Sequence, residues 1–302
     1  MYTHTMTFPQ HTQDNDIPPA IAILMLLITG GVLAGMDVTA KYLALNVPIL
    51  MVIWGRYFFH TVITFAVYAG KRRSFEFLRA KRPGLQFLRA GCLFGATAFL
   101  YVAITMMPLG DASAIQFMAP VLVTLISGLF LGERVGPRRF AAVGVAFIGV
   151  LFVARPGSGV LGWTAVLPFV TAILLGIYMV LTRVIRTKDN PDTTTFYSTA
   201  VGSVALTLAV PYVWQALTPF EWLLMVSMGL AGAIGHFFLV KAFHSAEASM
   251  LAPFTYSQVV AAIIWGFLIF GDVPSLWSAI GATLIIGSGI YVWYRETFGA
   301  KR

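Results

Sequence analysis

The sequence predicts an all-α membrane protein with ten transmembrane helices in two inverted five-helix repeats and with both termini in the cytoplasm. Three observations lead to this fold class: the composition, the spacing of the apolar stretches and the distribution of basic residues among the loops. Of the 302 residues, 58% are hydrophobic and only 11% are charged, which is more apolar surface than one soluble core can bury. We therefore expect the chain to lie in a bilayer.

Ten apolar stretches follow one another along the chain, and most approach the roughly 20 residues that a helix needs to cross a bilayer. They cover residues 19–41, 50–69, 86–107, 112–131, 139–154, 162–182, 195–214, 222–243, 249–270 and 275–294. The longest connection, "GKRRSFEFLRAKRPG", has 15 residues, so no loop is long enough for an extramembrane domain. The polar N-terminal tail lacks the basic start of a secretory signal, and the first helix is expected to be retained.

The basic residues are concentrated in the even-numbered loops and at the C-terminus, and they are not gathered in one patch. They are Lys71, Arg72, Arg73, Arg79, Lys81, Arg82, Arg134, Arg138, Arg139, Arg186, Lys188, Arg295, Lys301 and Arg302. Because cytoplasmic loops carry an excess of Lys and Arg, this pattern predicts cytoplasmic termini. The net charge of +8 is thus explained by topology, and we expect no nucleic-acid partner.

An internal repeat appears when the chain is shifted by 139 residues. Residues 103–133 then align with residues 242–272 in hydropathy, and both segments end in glycine followed by an acid, Glu133 or Asp272. Glycine-led helix termination explains these two acids better than acid–base chemistry. Five spans are an odd number, so the second half would enter the membrane from the opposite side. The expected divisions are a polar tail 1–18, repeats 19–155 and 156–295, and a basic tail 296–302.

Several motifs in this pattern resemble the EamA family of the drug/metabolite transporter superfamily. They are the two Gly-acid endings, "RYFF" in the second span and "LVKAFHSAEASMLAPFTYSQ" before the ninth. The resemblance covers residues 19 to 295, and "MDVTAKYL", "GRYFFH" and "VKAFHSAEASMLAPFTY" are most similar to its S-adenosylmethionine uptake branch. It implies a secondary transporter in a bacterial inner membrane that moves a small amino-acid-like or cationic metabolite, either as an exchanger or with proton coupling.

Other function classes lack the residues that they need. An intramembrane enzyme is the second class, but the sequence has no HExxH motif and no Gly-x-Ser-Gly nucleophile. A channel is the third class, and no filter-like loop is evident. An exporter of aromatic amino acids or cationic drugs remains an alternative transporter. We expect no cofactor and no metal site, a small-molecule substrate, and a monomer or a homodimer.

Asp37 is the only carboxylate predicted to lie inside a span, which makes it the first candidate for function. One alternative is that it pairs with Lys41, four residues later on the same helix face, and only fixes the first helix. The other is that it binds a substrate amine or carries a proton. Arg56 would bind a substrate carboxylate, or it would pair with Asp37 or with backbone carbonyls as a structural arginine.

The remaining candidates are polar or aromatic side chains in spans near the repeat junction, where inverted-repeat transporters bind their solutes. The candidates for substrate binding are Asp37, Arg56, Tyr101, Gln116, Tyr178, Tyr256 and Gln258. Tyrosine faces suit a planar ring or a sulfonium, although helix–helix hydrogen bonds would equally explain these residues. The candidates for coupling are Asp37, His236 and Lys241, with His60 as a second imidazole. The alternatives are hydrogen-bonded packing for the histidines and snorkelling for Lys241.

Overall fold

The regular structure of the chain is helical throughout the described residues of the computed structural model, which are 18–72, 75–131, 137–155, 162–185, 189–245 and 251–298. The α-helices are α1 (Pro19–Leu43), α2 (Ile49–Arg72), α3 (Pro83–Met106), α4 (Leu109–Gln116), α5 (Ala119–Leu131), α6 (Pro137–Ala154), α7 (Val166–Ile185), α8 (Pro191–Ala209), α9 (Pro219–Ser245), α10 (Ser257–Phe270) and α11 (Leu276–Phe298). Five of them begin with proline, which suits the first turn because its missing N–H would have no helical partner.

Among the described residues, seven helices are long and apolar enough to cross a membrane by length and composition. They are Ala20–Leu43, Ile49–Gly70, Pro83–Met106, Trp163–Ile185, Pro191–Val213, Pro219–Ala242 and Leu276–Arg295. Three further apolar helices are shorter, namely Leu109–Val123, Phe140–Ala154 and Phe254–Phe270. Each of the ten predicted apolar stretches thus contains a helix, whereas the count of ten complete spans stays a prediction.

The helices pack in pairs, and a shift of 139 residues along the sequence relates these pairs to one another. This shift relates α1 to α7 and α3 to α9, and α1 packs on α9 just as α7 packs on α3. It also relates α6 to α11, which begin at residues 137 and 276 and pack against each other. Gly149 and Gly281 lie at this crossing, where a Cβ on Gly149 would be 2.8 Å from the Gly281 carbonyl oxygen. Such glycines let two helix backbones approach closely.

Two repeat-related helices are interrupted at equivalent positions. In the first repeat the helix is interrupted at Phe117, between α4 and α5. In the second repeat the 3-10 turn Ala252–Tyr256 precedes α10. Phe117 and Tyr256 are 139 residues apart, and their ring centroids are only 5.6 Å apart. Pro120 lies in the first turn of α5, where it has no N–H to continue the preceding helix. Residues that the 139-residue shift relates are therefore in contact at these two interruptions.

The end of α10 confirms one prediction about the acids that follow glycine. Gly271 has φ +70°, the left-handed conformation that glycine adopts at helix ends without steric cost. Asp272 then folds back, and its backbone N–H donates to the Gly266 carbonyl at 3.2 Å. Glu133, the corresponding acid of the first repeat, lies outside the described residues.

Candidate functional site

Asp37 lies in the interior of the bundle, and Arg56 lies near it on the next helix. Asp37, on α1, is only 3% exposed, and Arg56 on α2 interacts with it electrostatically. The Arg56 guanidinium carbon lies 5.2 Å from the centroid of the Tyr101 ring on α3 and 5.9 Å from that of Tyr57. Arginine stacks on such aromatic faces because of their negative charge density. The first repeat therefore brings an acid, a base and two tyrosines together.

The second repeat contributes Gln258 to the same site. Gln258 lies within polar contact range of the Asp37 carboxylate, as does Tyr101. Gly30 makes this approach possible, because a Cβ there would lie 2.9 Å from the Gln258 backbone nitrogen. Gly30 is two turns before Asp37, so both face the start of α10. Within the described part of the chain, Asp37 Oδ1 and Tyr101 OH still make no hydrogen bond of ordinary geometry.

Lys41 does not pair with Asp37, and that alternative from the sequence is wrong. Its Nζ lies 2.8 Å from Asp272 Oδ2 and also donates to the Met107 carbonyl at 3.3 Å. The Phe270 ring centroid is 4.6 Å from the same nitrogen. The flexible Lys41 side chain extends away from its own helix to the Asp272 carboxylate, which follows the end of α10. Asp37 therefore keeps no lysine partner.

The two predicted imidazoles contact each other between α2 and α9. The ring centroids of His60 and His236 are 5.2 Å apart. His236 Nδ1 lies 2.9 Å from the Gly232 carbonyl, which can only accept, so Nδ1 carries the proton in this arrangement. His60 lies one turn after Arg56 on α2. Lys241 does not join this cluster, because it is exposed on α9 and its Nζ lies 5.9 Å from the Phe237 ring.

Three further candidates, Gln116, Tyr256 and Tyr178, have other surroundings. Gln116 and Tyr256 flank the two helix breaks, and Gln116 Oε1 and Tyr256 OH are buried without a hydrogen bond to any described residue. Tyr178 on α7 instead stacks on Arg89, with 4.9 Å from its ring centroid to the guanidinium carbon. The structure thus groups Asp37, Arg56, Tyr101 and Gln258, and it leaves Tyr178 next to a second arginine.

Sequence analysis missed this second arginine, whose side chain makes four hydrogen bonds. Arg89 on α3 is 1% exposed. It donates to the Thr194 carbonyl, to Ser198 Oγ at 2.7 Å, to Thr182 Oγ1 at 3.2 Å and to Gln86 Oε1 at 3.4 Å. The position of Arg89 inside the third apolar stretch was the available signal, because a base within a span needs partners.

Gln86 extends this network to an acid at the start of α8. Its Nε2 donates to Asp189 Oδ2 at 2.9 Å and to Thr194 Oγ1 at 3.2 Å. The other carboxylate oxygen of Asp189 accepts from the Lys81 backbone N–H at 2.7 Å. The Arg89 network therefore ties the start of α3 to α7 and α8. Lys41 and Asp272 tie the opposite end of α3 to α1 and α10.

The comparisons with known proteins agree with this helical architecture. The EamA-like transporter family model matches residues 20–155 and 162–294. The S-adenosylmethionine uptake transporter of Rickettsia conorii is 28% identical over 88% of this chain and 90% of its own length. The riboflavin transporter of Rhizobium johnstonii is 31% identical over 63% of each chain. The pseudopaline exporter of Pseudomonas aeruginosa is 27% identical over 87% of this chain and 93% of its own length.

A solved crystal structure supports the fold alone. It superposes with a TM-score of 0.61 over 90% of this chain and 95% of that chain, at 18% identity. The family resemblance that the motifs indicated is confirmed by the family model, which spans both halves of the chain. This chain belongs to the EamA-like transporter family and is a multi-pass membrane transporter of a small molecule, not an enzyme.

Proposed function

We propose that this chain is a secondary transporter that moves a small zwitterionic or cationic metabolite, such as S-adenosylmethionine or an amino acid, across the bacterial inner membrane by alternating access. The observation that carries this proposal is the pair Asp37 and Arg56. They lie near each other in the bundle interior, yet no ion pair joins them in the described part of the chain. Charges away from water need partners. A zwitterion supplies an ammonium for Asp37 and a carboxylate for Arg56.

The relatives support a solute of this kind. S-adenosylmethionine, named for the Rickettsia conorii relative, carries a carboxylate, an ammonium and a sulfonium. The tyrosine faces around Arg56 suit the sulfonium or an attached ring. Riboflavin, named for the Rhizobium johnstonii relative, has a planar ring but neither the carboxylate nor the ammonium. Transport of riboflavin would therefore depend on the tyrosines and not on the two charges.

The membrane topology belongs to the same proposal. We infer ten spans in two inverted repeats, 19–155 and 156–295, with cytoplasmic termini. Helices α1, α3 and α10 all finish near the Lys41 contacts with Met107 and Asp272. This supports a common direction for the first, third and ninth spans. The interruptions at Phe117 and Tyr256 support a site at the repeat junction, as in other transporters with broken helices.

The coupling mechanism is exchange or proton coupling. A carboxylate that alternates between apolar surroundings and a nearby positive charge can take up and release a proton, and Asp37 has both neighbours. His236 is a second candidate through its contact with His60. Lys241 is a third candidate by sequence, at the exposed face of α9. Export of aromatic amino acids or cationic drugs remains the alternative direction and substrate class.

Counterflow in proteoliposomes tests the proposal. Vesicles loaded with unlabelled S-adenosylmethionine, an aromatic amino acid, riboflavin or a sugar are diluted into the labelled solute. We expect labelled S-adenosylmethionine or amino acid to accumulate, and Arg56→Gln to reduce this accumulation. Arg138→Gln is the matched control, because Arg138 lies exposed at the start of α6. Exchange of sugars with no response to any amino-acid derivative would overturn the assignment.

A further inference from the structure

The ammonium of Lys41 is held by three groups that together recognise organic ammonium ions. They are the Asp272 carboxylate at 2.8 Å, the Met107 carbonyl at 3.3 Å and the Phe270 ring at 4.6 Å. A carboxylate gives a charge-assisted hydrogen bond, and an aromatic face attracts the cation. None of these groups comes from α1, which carries Lys41. Met107 follows α3, whereas Phe270 and Asp272 belong to the end of α10.

A recess beside these three groups is lined by a second carboxylate. It is a shallow depression bordered by Asp111, Asp272, Gly266 and Ile263. Asp111, in the first turn of α4, is 8% exposed, and Ser278 contacts its carboxylate. Lys41 and Arg155 are basic residues that interact electrostatically with the Asp111 carboxylate. The recess therefore places a second carboxylate near the ammonium of Lys41.

Lys41 also lies close to the proposed central site. It is four residues after Asp37 on α1, which is about 6 Å along the helix axis at 1.5 Å per residue. At this spacing an acid and a base share one helix face and can form a pair. A Lys41 ammonium that leaves Asp272 therefore finds Asp37 one turn away. The lysine can alternate between the carboxylate at the end of the bundle and the carboxylate at its centre.

We propose that the ends of α3 and α10 form a binding site for the ammonium group of a solute, which Lys41 occupies in this structure as a tethered competitor. A solute that takes this site releases Lys41 toward Asp37, and a solute that moves on to Asp37 returns Lys41 to Asp272. The solute class, an organic cation or a zwitterion with a free ammonium, rests on the proposed function. The site itself rests on the contacts of Lys41.

Chemical rescue tests whether these groups bind a free ammonium. In purified Lys41→Ala protein, n-butylammonium replaces the missing side chain, and n-butanol is its neutral control. We expect Lys41→Ala to lower Tm and n-butylammonium to restore roughly half of the loss or more once it exceeds its Kd about a hundredfold. The alcohol should restore none. The double variant Lys41→Ala/Asp272→Asn should show no rescue, and neither should Lys241→Ala, whose lysine is exposed elsewhere on α9.

Equal effects of the amine and the alcohol, or full rescue without the Asp272 carboxylate, would overturn the proposal. A second measurement uses the wild-type chain, in case Lys41→Ala does not fold. Acylation of Lys41 by a water-soluble amine reagent is followed by mass spectrometry with and without butyltrimethylammonium, which the reagent cannot modify. We expect a several-fold faster acylation of Lys41 and an unchanged rate at Lys241. An unchanged Lys41 rate at saturating cation would contradict displacement.

Neither measurement requires transport. If n-butylammonium rescues the variant but no amino-acid derivative exchanges in vesicles, the ammonium site stands and the proposed substrate class is wrong. If exchange occurs without rescue and without faster Lys41 acylation, the transporter assignment stands and the second site is wrong. The two proposals therefore fail on different results.

Discussion

The substitution Asp37→Asn separates a functional carboxylate from a structural one. The amide keeps the size and the polar atoms of the side chain and removes only its charge. Asp37 is 3% exposed, and its Oδ1 makes no hydrogen bond to the described residues. Insertion scales assign about 2.5–3.5 kcal/mol to a charged aspartate at a helix centre. Loss of this charge should leave Tm unchanged or raise it.

The same substitution should weaken solute binding. If Asp37 accepts a hydrogen bond from the solute ammonium, its loss costs about 1.5–3 kcal/mol, the range for hydrogen bonds to charged groups. Because about 1.4 kcal/mol corresponds to a tenfold change in Kd, affinity should fall by roughly 10- to 140-fold. Uptake driven by a pH gradient should be lost as well if Asp37 carries the coupling proton, while exchange at saturating solute persists.

The assay combines three measurements on purified protein: Tm, the Kd for S-adenosylmethionine or for the amino acid that exchanges, and uptake into vesicles with and without a pH gradient. The double variant Asp37→Asn/Lys41→Gln is the control for a structural pair. Because Lys41 bonds to Asp272 and not to Asp37, the added Lys41→Gln substitution should not restore any Tm, affinity or uptake that Asp37→Asn has lost. A folded Asp37→Asn protein with wild-type affinity and gradient-driven uptake would refute the reasoning. An unstable Asp37→Asn protein whose Tm is restored by adding Lys41→Gln would refute it as well.

Three other changes test the scaffold. Arg89→Met should destabilise the protein by at least about 1–3 kcal/mol, which is the cost of one buried acceptor left without its donor; a loss no larger than that of the exposed control Arg138→Met would contradict this role. Gly281→Val should separate α6 from α11, because its Cβ would press on the Gly149 carbonyl oxygen, and a monodisperse variant with wild-type Tm would show that the crossing tolerates side chains. A periplasm-dependent reporter fused after Arg302 should be silent, whereas strong activity would mean an odd number of spans.

The helices were predictable because a bilayer demands length and hydropathy, and both can be read from the sequence. The ninth apolar stretch, 249–270, shows the limit of that information. Within it, the 3-10 segment Ala252–Tyr256 lies between the helical residue Leu251 and the start of α10. Pro253 in this segment and Pro120 near the interruption at Phe117 indicate kinked helices, but they do not show where the interruption lies. Hydropathy averages over a window, so it does not register where a backbone hydrogen-bond ladder breaks.

Several residues of the candidate cluster could be selected from the sequence, but their contacts could not. Asp37 and Arg56 stood out because charges are rare within spans. The spacing of Asp37 and Lys41 indicated a pair, but helix spacing describes only neighbours along one helix. The partner of Lys41 is Asp272, 231 residues away, and no local pattern identifies it. The partners of Arg89 on α7 and α8 are 93 to 109 residues away, and no local pattern identifies them.

The two ends of the bundle are closed by unequal contacts on a nearly symmetric scaffold. The 139-residue shift places Lys41 on Val180 and Arg89 on Met228, so neither polar contact has a counterpart in the other repeat. The Lys41 and Asp272 side chains are 13% and 23% exposed, and Lys41 makes two hydrogen bonds at this end. Arg89 is 1% exposed and makes four hydrogen bonds, and each buried acceptor that loses its donor costs about 1–3 kcal/mol. We therefore expect opening at the Lys41 end to be the less costly movement, so that two similar repeats can still favour one direction of access.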